Sequence, residues 1–295
     1  MRRVAKAALW TGGGLAAVLA GLVAFAHFGS DHKMNRRIEI SPAAVAIPQD
    51  EAALARGKYL YESRGCTDCH GKDGLGRTLI DNGDLVVRGP NITSQGAVAD
   101  YSVTDWVRSI RHGIAPDLRP LMVMPSEDYA RMTDADLGAM IAYMRGLPPQ
   151  PGDGRIVQLP SPVRFAYAAG IVRDAAEKID HSLPPAKPAP ADDILANGAY
   201  VANMCQGCHG LDLTGGKVPG GPPDWPPAAN LTSVPGGGMQ AYRDAGMFAA
   251  MLRSGRRPDG SEIQVMPFES LRELNDTEIG ALYAYLTSLP PKGKS

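Results

Sequence analysis

All four cysteines of the chain fall into two copies of one five-residue pattern, Cys66-Thr67-Asp68-Cys69-His70 and Cys205-Gln206-Gly207-Cys208-His209. The spacing C-x-x-C-H is the attachment signature of a c-type haem. Two thiols a short, fixed distance apart can add to the two vinyl groups of one haem. The histidine that follows at once puts an imidazole under the iron. A thioredoxin-like redox pair would want one such motif beside a βαβ pattern, and the surroundings here are helical and punctuated by Gly and Pro. A zinc site would need a second ligand pair nearby, and neither motif has one. Cys66, Cys69, Cys205 and Cys208 are therefore expected to carry two covalently attached haem c groups. His70 and His209 are the expected proximal iron ligands. No cysteine is left for a disulfide.

The 295 residues are enough for two domains of ordinary size. A net charge of −1 gives no case for nucleic-acid binding. Only 6% of the chain is aromatic, against 34 Gly and 25 Pro. That balance suits small helical domains with long ordered loops, in which a cofactor supplies much of each core.

The N-terminus reads as a targeting segment. Arg2, Arg3 and Lys6 precede an apolar run from Ala7 to Phe28. Roughly 20 residues suit a membrane span and exceed the apolar core of a secretory signal, about 7–15 residues. Ala24-Phe25-Ala26 has the small-x-small form of a cleavage site, which leaves a cleaved signal as the alternative to an anchor. Basic residues ahead of the run favour an inside N-terminus and an outside body, and Lys33, Arg36 and Arg37 beyond it weaken that bias.

The expected organisation is an anchor over 1–29, a stalk over 30–50, a first domain over 51–150, a linker over 151–190 and a second domain over 191–295. Helical spacing predicts a helix from about Glu51 to Ser63. Residues 71–100 look loop-like. A helix over 104–111 follows, with Thr104 to cap it and Gly113 to stop it. Thr133 opens another, with Leu137, Met140, Ile141 and Met144 on one face, ended by Pro148-Pro149. In the linker, 164–179 could form an amphipathic helix, and 183–190 is a Pro-rich extended stretch.

The second half repeats the first. Asn91-Ile92-Thr93-Ser94 matches Asn230-Leu231-Thr232-Ser233 at the offset of the cysteines, 139 residues (205 − 66 and 230 − 91). From Ile110 onward the offset is 142, as in Met124-Pro125 against Met266-Pro267 (266 − 124). Ala191–Met204 matches the helix ahead of the first motif. Asn275 and Glu278 supply a capping box for the last helix. Gly57 with Tyr143, and Gly198 with Tyr285, suggest that the first helix of each half lets the last one cross closely over a glycine. The alternative for each tyrosine is ordinary burial.

Each iron needs a distal ligand, and a thioether stabilises Fe(II). The first half offers Met122, Met124, Met132, Met140 and Met144, and the second Met239, Met247, Met251 and Met266. Met140 and Met144 sit on a helix face and read as core filler. Met124 and Met266 align between the repeats, each ahead of a proline in a loop before the last helix, and are the expected ligands. Met122 is the rival to Met124. His112 has Ser254 as its counterpart, so it cannot serve a role common to both halves. His27, His32 and His181 lie in the anchor, stalk and linker.

Each half thus resembles a class I cytochrome c: N-terminal helix, C-x-x-C-H, a Pro-Asn-x-Thr-like loop, a Met-Pro loop and a C-terminal helix. Pro90 precedes Asn91 as in that family, whereas Ala229 stands before Asn230. The resemblance therefore puts a histidine-orienting carbonyl at Pro90 and leaves that of the second half unassigned. The tandem pair resembles the membrane-anchored di-haem cytochrome c subunits of bacterial periplasmic dehydrogenases. That resemblance implies an all-α fold of two tandem domains behind a transmembrane helix at the bacterial inner membrane, with the body in the periplasm. It implies an electron carrier rather than an enzyme. The donor would be a periplasmic or membrane-bound dehydrogenase, and the acceptor quinone, another cytochrome or an oxidase. The rivals are a peroxidase-like di-haem enzyme and a haem-based sensor, both of which need an open coordination site.

Overall fold

A computed structural model of the chain describes residues 2–152, 154–219, 221–222 and 224–293. Residue 1 and residues 294–295 of the expected boundaries lie outside the described residues. Helix α1 (Arg2–Ala24) passes through a π-turn, Phe25–Gly29, into the short α2 (Ser30–Met34). Residues Trp10–Met34 are long and apolar enough to cross a membrane, and only 6% of their most apolar window is buried.

The first half contains α3 (Glu51–Ser63), α4 (Cys66–His70), β1 (Thr78–Asp81), β2 (Val86–Arg88), α5 (Val103–His112), α6 (Ser126–Tyr129) and α7 (Asp134–Arg145). The joining segment adds β3 (Ile156–Gln158) and α8 (Ser161–Ala168). The second half contains α9 (Ile194–Ala202), α10 (Gln206–His209), α11 (Ala245–Ser254), α12 (Phe268–Leu271) and α13 (Asp276–Ser288). Each half buries its own core. Leu60, Val107, Leu137 and Ile141 centre the first, and Val201, Leu252, Ile279 and Leu282 the second.

The helix ends follow local chemistry. Asp50 caps α3 and Thr133 caps α7, each side chain accepting a backbone N–H of the first turn. The cap of α5 is Ser102, not Thr104, because Ser102 and Asp105 satisfy each other's backbone in a reciprocal box. Gly113 stops α5 at φ 65°, a left-handed backbone that suits glycine. Helix α7 ends at Gly146, ahead of the prolines.

The all-α expectation is corrected to a mostly helical fold with a three-stranded antiparallel sheet in the order β1-β2-β3. Residues 78–88 form a hairpin around Asn82-Gly83, a turn pair that suits tight reversals. Strand β3 comes from the linker and pairs Val157 with Val87. The corresponding stretch of the second half, 217–227, is rich in proline, which cannot donate to a ladder.

Residues 38–48 run along the first half instead of standing free as a stalk. The Ile38 N–H donates to the Leu118 carbonyl (2.9 Å), Arg108 Nε donates to the Ile40 carbonyl (3.0 Å), and Val45 enters the core. The helix expected over 164–179 is broken: α8 ends before Gly170, at φ 76°, and only a 3-10 turn, Ala176–Lys178, follows.

The halves meet about an approximate two-fold axis. The Tyr59 hydroxyl donates to Glu278 Oε2 (2.9 Å) and accepts from the Asn275 N–H (3.1 Å). Its counterpart Tyr200 donates to Asp136 Oδ2 (2.7 Å) and accepts from the Thr133 N–H (3.2 Å). Arg56 bridges both carboxylates, and the buried Arg64 joins Glu278 at 2.6 Å. These guanidinium partners hold Asp136 and Glu278 below the usual carboxylate range despite burial. Glu278 is thus drawn into the interface. Asn275 still accepts its N–H, but no reciprocal bond from the Glu278 side chain completes a capping box.

Candidate functional site

Both C-x-x-C-H motifs form a single helical turn at the end of the first helix of their half, by different routes. Gly65, at φ 86°, turns the chain into α4. Its counterpart is Met204 (65 + 139), and there a 3-10 turn, Asn203–Cys205, leads into α10. Gly71 and Gly210 end the turns at φ 76° and 80°. A bond from the buried Tyr61 hydroxyl to the Gly71 carbonyl (2.5 Å) and one from Tyr129 to the Arg64 carbonyl (2.8 Å) brace the first motif.

The motif histidines are set alike. His70 Nδ1 donates to the Pro90 carbonyl at 3.0 Å, and His209 Nδ1 donates to the Ala229 carbonyl at 2.8 Å. A carbonyl can only accept, so the proton sits on Nδ1 and the Nε2 lone pair is left for a metal. Burial lowers both histidine pKa values, which keeps the rings neutral. The Ala229 carbonyl fills the role that the sequence reading placed only at Pro90. The repeat offset pointed to it (229 − 90 = 139), and a backbone carbonyl does not depend on the side chain.

Several bonds of the loop after each motif are duplicated. His70 and His209 carbonyls accept from Gly76 and Gly215, each at 2.8 Å. Asn91 Oδ1 accepts the Thr93 N–H and Asn230 Oδ1 the Thr232 N–H, both at 2.8 Å. The Asn91 amide donates to the Gln150 carbonyl and the Asn230 amide to the Lys292 carbonyl, both at 2.8 Å, tying the loop to the chain beyond the last helix. The helix crossing is duplicated as well. A Cβ on Gly57 would lie 2.1 Å from the Ala139 carbonyl oxygen and 3.0 Å from Tyr143 Cβ, and one on Gly198 2.0 Å from the Ala281 oxygen and 2.6 Å from Tyr285 Cβ. Only glycine admits that approach.

In the first half a cleft of about 1070 Å³, counting its open mouth, is lined by Cys66, Cys69, His70, Met122, Met124, Met140 and Met144. Trp106, Tyr101, Tyr129, Arg88 and Arg155 complete the wall, none of them singled out by motif. Met124 and Met122 both face the cleft, so position does not separate them. The counterpart of Met122 is the exposed Gln264 (122 + 142), whereas Met124 is repeated as Met266. Met132, Met239 and Met251 are core residues, and Met247 packs at the edge of the second core. Met266 and Cys205 pack against that same second core. His112 is not among the lining residues. Its Nδ1 lies 3.0 Å from Nδ1 of His181, which ties the linker to α5.

The four cysteines form no disulfide, and burial raises each thiol, Cys66 and Cys205 to about 12 and Cys69 to about 11. Thiols held neutral in this way are poor exchange nucleophiles, which argues against a dithiol redox pair.

Residues 52–144 match the family model described as cytochrome c oxidase, cbb3-type, subunit III, and residues 195–290 match the cytochrome c model. The chain carries two cytochrome c domains. It is 27% identical to the fructose dehydrogenase cytochrome subunit of Gluconobacter japonicus, over 87% of this chain and 56% of that protein. It is 29% identical to the gluconate 2-dehydrogenase cytochrome c subunit of Pantoea cypripedii, over 87% of this chain and 64% of that one. It is 27% identical to the cytochrome c subunit of the quinone-dependent alcohol dehydrogenase of Gluconobacter oxydans (strain 621H), over 86% and 58%. The chain thus spans about three-fifths of the length of the curated relatives it matches.

Cytochrome c domains bind haem c covalently, and the residues present fit that group. The first cytochrome c cleft is apolar, holds two neutral thiols, a histidine with a free Nε2 and thioethers in its wall, and carries two arginines, Arg88 and Arg155.

The two cytochrome c domains also reach into each other's motif. The Gly207 N–H, inside the second motif, donates to Asp128 of α6 at 2.9 Å. The Ser270 hydroxyl of α12 donates to Asp68, inside the first motif, at 2.8 Å. Positions 68 and 207 correspond (207 − 68 = 139), as do 128 and 270 (270 − 128 = 142). Burial, with Glu127 adjacent, pushes the Asp128 carboxyl up to about 8.

Proposed function

We propose that the protein is a di-haem electron carrier of the outer face of the bacterial inner membrane. The observation that carries this reading is the reciprocal contact of the motifs: each haem-attachment turn is hydrogen-bonded to the other domain, so the two sites face one interface. Haem c supplies a one-electron Fe(III)/Fe(II) couple. Cys66 and Cys69 would hold one haem and Cys205 and Cys208 the other. His70 and His209 would be proximal ligands, oriented by the carbonyls of Pro90 and Ala229. Met124 and Met266 would close the distal positions, which leaves no place for a substrate.

The domain division 51–150 and 191–295 accounts for the two separate cores. Residues 1–29 would anchor the protein, residues 30–50 would strap the anchor to the first domain, and 151–190 would link the domains. The names of the relatives support a dehydrogenase partner as electron donor, with quinone, a cytochrome or an oxidase as acceptor. Carbon monoxide tests the sealed sites. The reduced holoprotein should not bind it rapidly at either haem. Rapid binding at one haem would mark an open coordination site and favour a peroxidase-like enzyme or a sensor.

A further inference from the structure

The base of the apolar helix is clamped by α8, which belongs to the inter-domain linker. Phe25 meets Phe165 edge to face at 5.5 Å, and Gly29 takes Ala168 against it, a Cβ there lying 3.0 Å from the alanine methyl. His27 Nε2 lies 3.1 Å from the Ser161 hydroxyl, and Arg164 pairs with Asp31. Lys33 bonds the Tyr167 carbonyl (3.0 Å) and Glu177 (2.9 Å). Arg36 joins Asp174 through two bonds, at 2.7 and 3.0 Å, and Asp174 also accepts from the Tyr167 hydroxyl. Ala26 and Ser30 are buried beneath this contact.

Around the clamp, large apolar side chains remain outside. Phe28 is 77% exposed and Ile171 75% exposed. Ile171 is not on a loose tip, for its N–H donates to the Ala166 carbonyl at 2.8 Å after the left-handed Gly170. Arg37 and Arg173 are exposed, and among the described residues neither has an ion pair; Glu39, two residues beyond Arg37, is exposed and unpaired as well, which leaves two cations against one carboxylate. The span Trp10–Met34 has 25 residues. At 1.5 Å per residue that is about 37 Å, longer than a hydrocarbon core of about 30 Å. Its base, where α8 docks, therefore falls at the level of the lipid head groups.

We infer that the segment from Ser161 to Arg173 lies in the lipid–water boundary as a collar on the anchor. Ile171 and Phe28 enter the upper acyl region, and Arg37 and Arg173 meet lipid phosphates. An interfacial segment places its apolar side about 5–10 Å into that boundary with cations above it. The collar fixes how the first cytochrome domain is held over the membrane. This inference rests on the anchor reading given above.

Nitroxide labels test it on the full-length holoprotein in vesicles of phosphatidylcholine and phosphatidylglycerol. Single labels go on Ile171→Cys, on Leu19→Cys in the span and on Ile194→Cys in the second domain, the native cysteines being consumed by haem. Relaxation by oxygen is compared with relaxation by a water-soluble nickel chelate. The expected oxygen-to-nickel ratio at position 171 is several-fold above that at 194 and below that at 19. A ratio at 171 equal to that at 194, with 19 still reading lipid, overturns the collar and leaves the anchor standing. A label at 171 shielded from both agents shows cover by protein and also overturns it. An aqueous reading at 19 removes the anchor itself, and the collar with it.

Discussion

The two cytochrome domains agree in the contacts that set the motif histidine and the loop behind it, and differ in what encloses the site. Histidine to carbonyl, asparagine to threonine and to the chain beyond the last helix, and glycine under the last helix are all repeated at matching positions. The walls are not. The first cleft is roofed by a hairpin and a strand borrowed from the linker, and carries Trp106, Arg88 and Arg155. The second half has a proline-rich sequence, 217–227, where the first has the hairpin, and Leu213 stands at φ 57° where the first half has Gly74 at φ 77°. Ligation chemistry restricts the first set of contacts, while the wall is free to set different potentials around one ligand set.

The largest effect should come from the attachment residues. Changing Cys66 and Cys69 to alanine, or Cys205 and Cys208, should leave one covalent haem in each variant and unfold the affected half, because a small domain built around a cofactor has little core without it. Haem-stained denaturing gels and helix content by circular dichroism check this. Undiminished staining in either variant would contradict the assignment.

The interface should break unequally. Glu278→Gln removes the ion-pair partner of Arg64, only 5% exposed, and should cost about 3–5 kcal/mol. Asp136→Asn should cost less, since Arg56 keeps Glu278 as a partner. Denaturant unfolding of the two holoproteins measures the difference, and equal losses would show that the Arg64 pair has no special weight.

Arg155→Ala should act on the first domain alone. Removing a cation from the wall disfavours Fe(II), so that haem's potential should fall by the equivalent of about 1 kcal/mol, the size of a solvent-screened charge pair. A redox titration that moves both haems equally would mean that Arg155 is not a first-domain residue in this sense.

Local chemistry made much of this legible from sequence. The motifs, the cap Thr133, the stop at Gly113 and the glycine crossings are written in short stretches. The fold departs from that reading where a distant residue decides. Ile156–Gln158 is a strand only because β2 offers an edge to it. Glu278 satisfies the pattern of a capping box, yet Arg56, the buried Arg64 and Tyr59 outcompete the backbone N–H for its carboxylate. The hairpin had a local signal in Asn82-Gly83, masked by the many glycines around it. The Ala229 carbonyl could be found only from the repeat register, since no side chain marks it.

The distal ligands decide most directly between a sealed carrier and an open site. A redox titration of the holoprotein, followed through the weak far-red Fe(III)–thioether band, reads them. Two bands' worth of intensity is expected, one lost in Met124→His and the other in Met266→His, each with a lower potential at that haem only, because imidazole stabilises Fe(III) better than a thioether. Met122→Leu should change neither band. One band's intensity in the native protein, or loss of a band in Met122→Leu but not in Met124→His, would contradict the account.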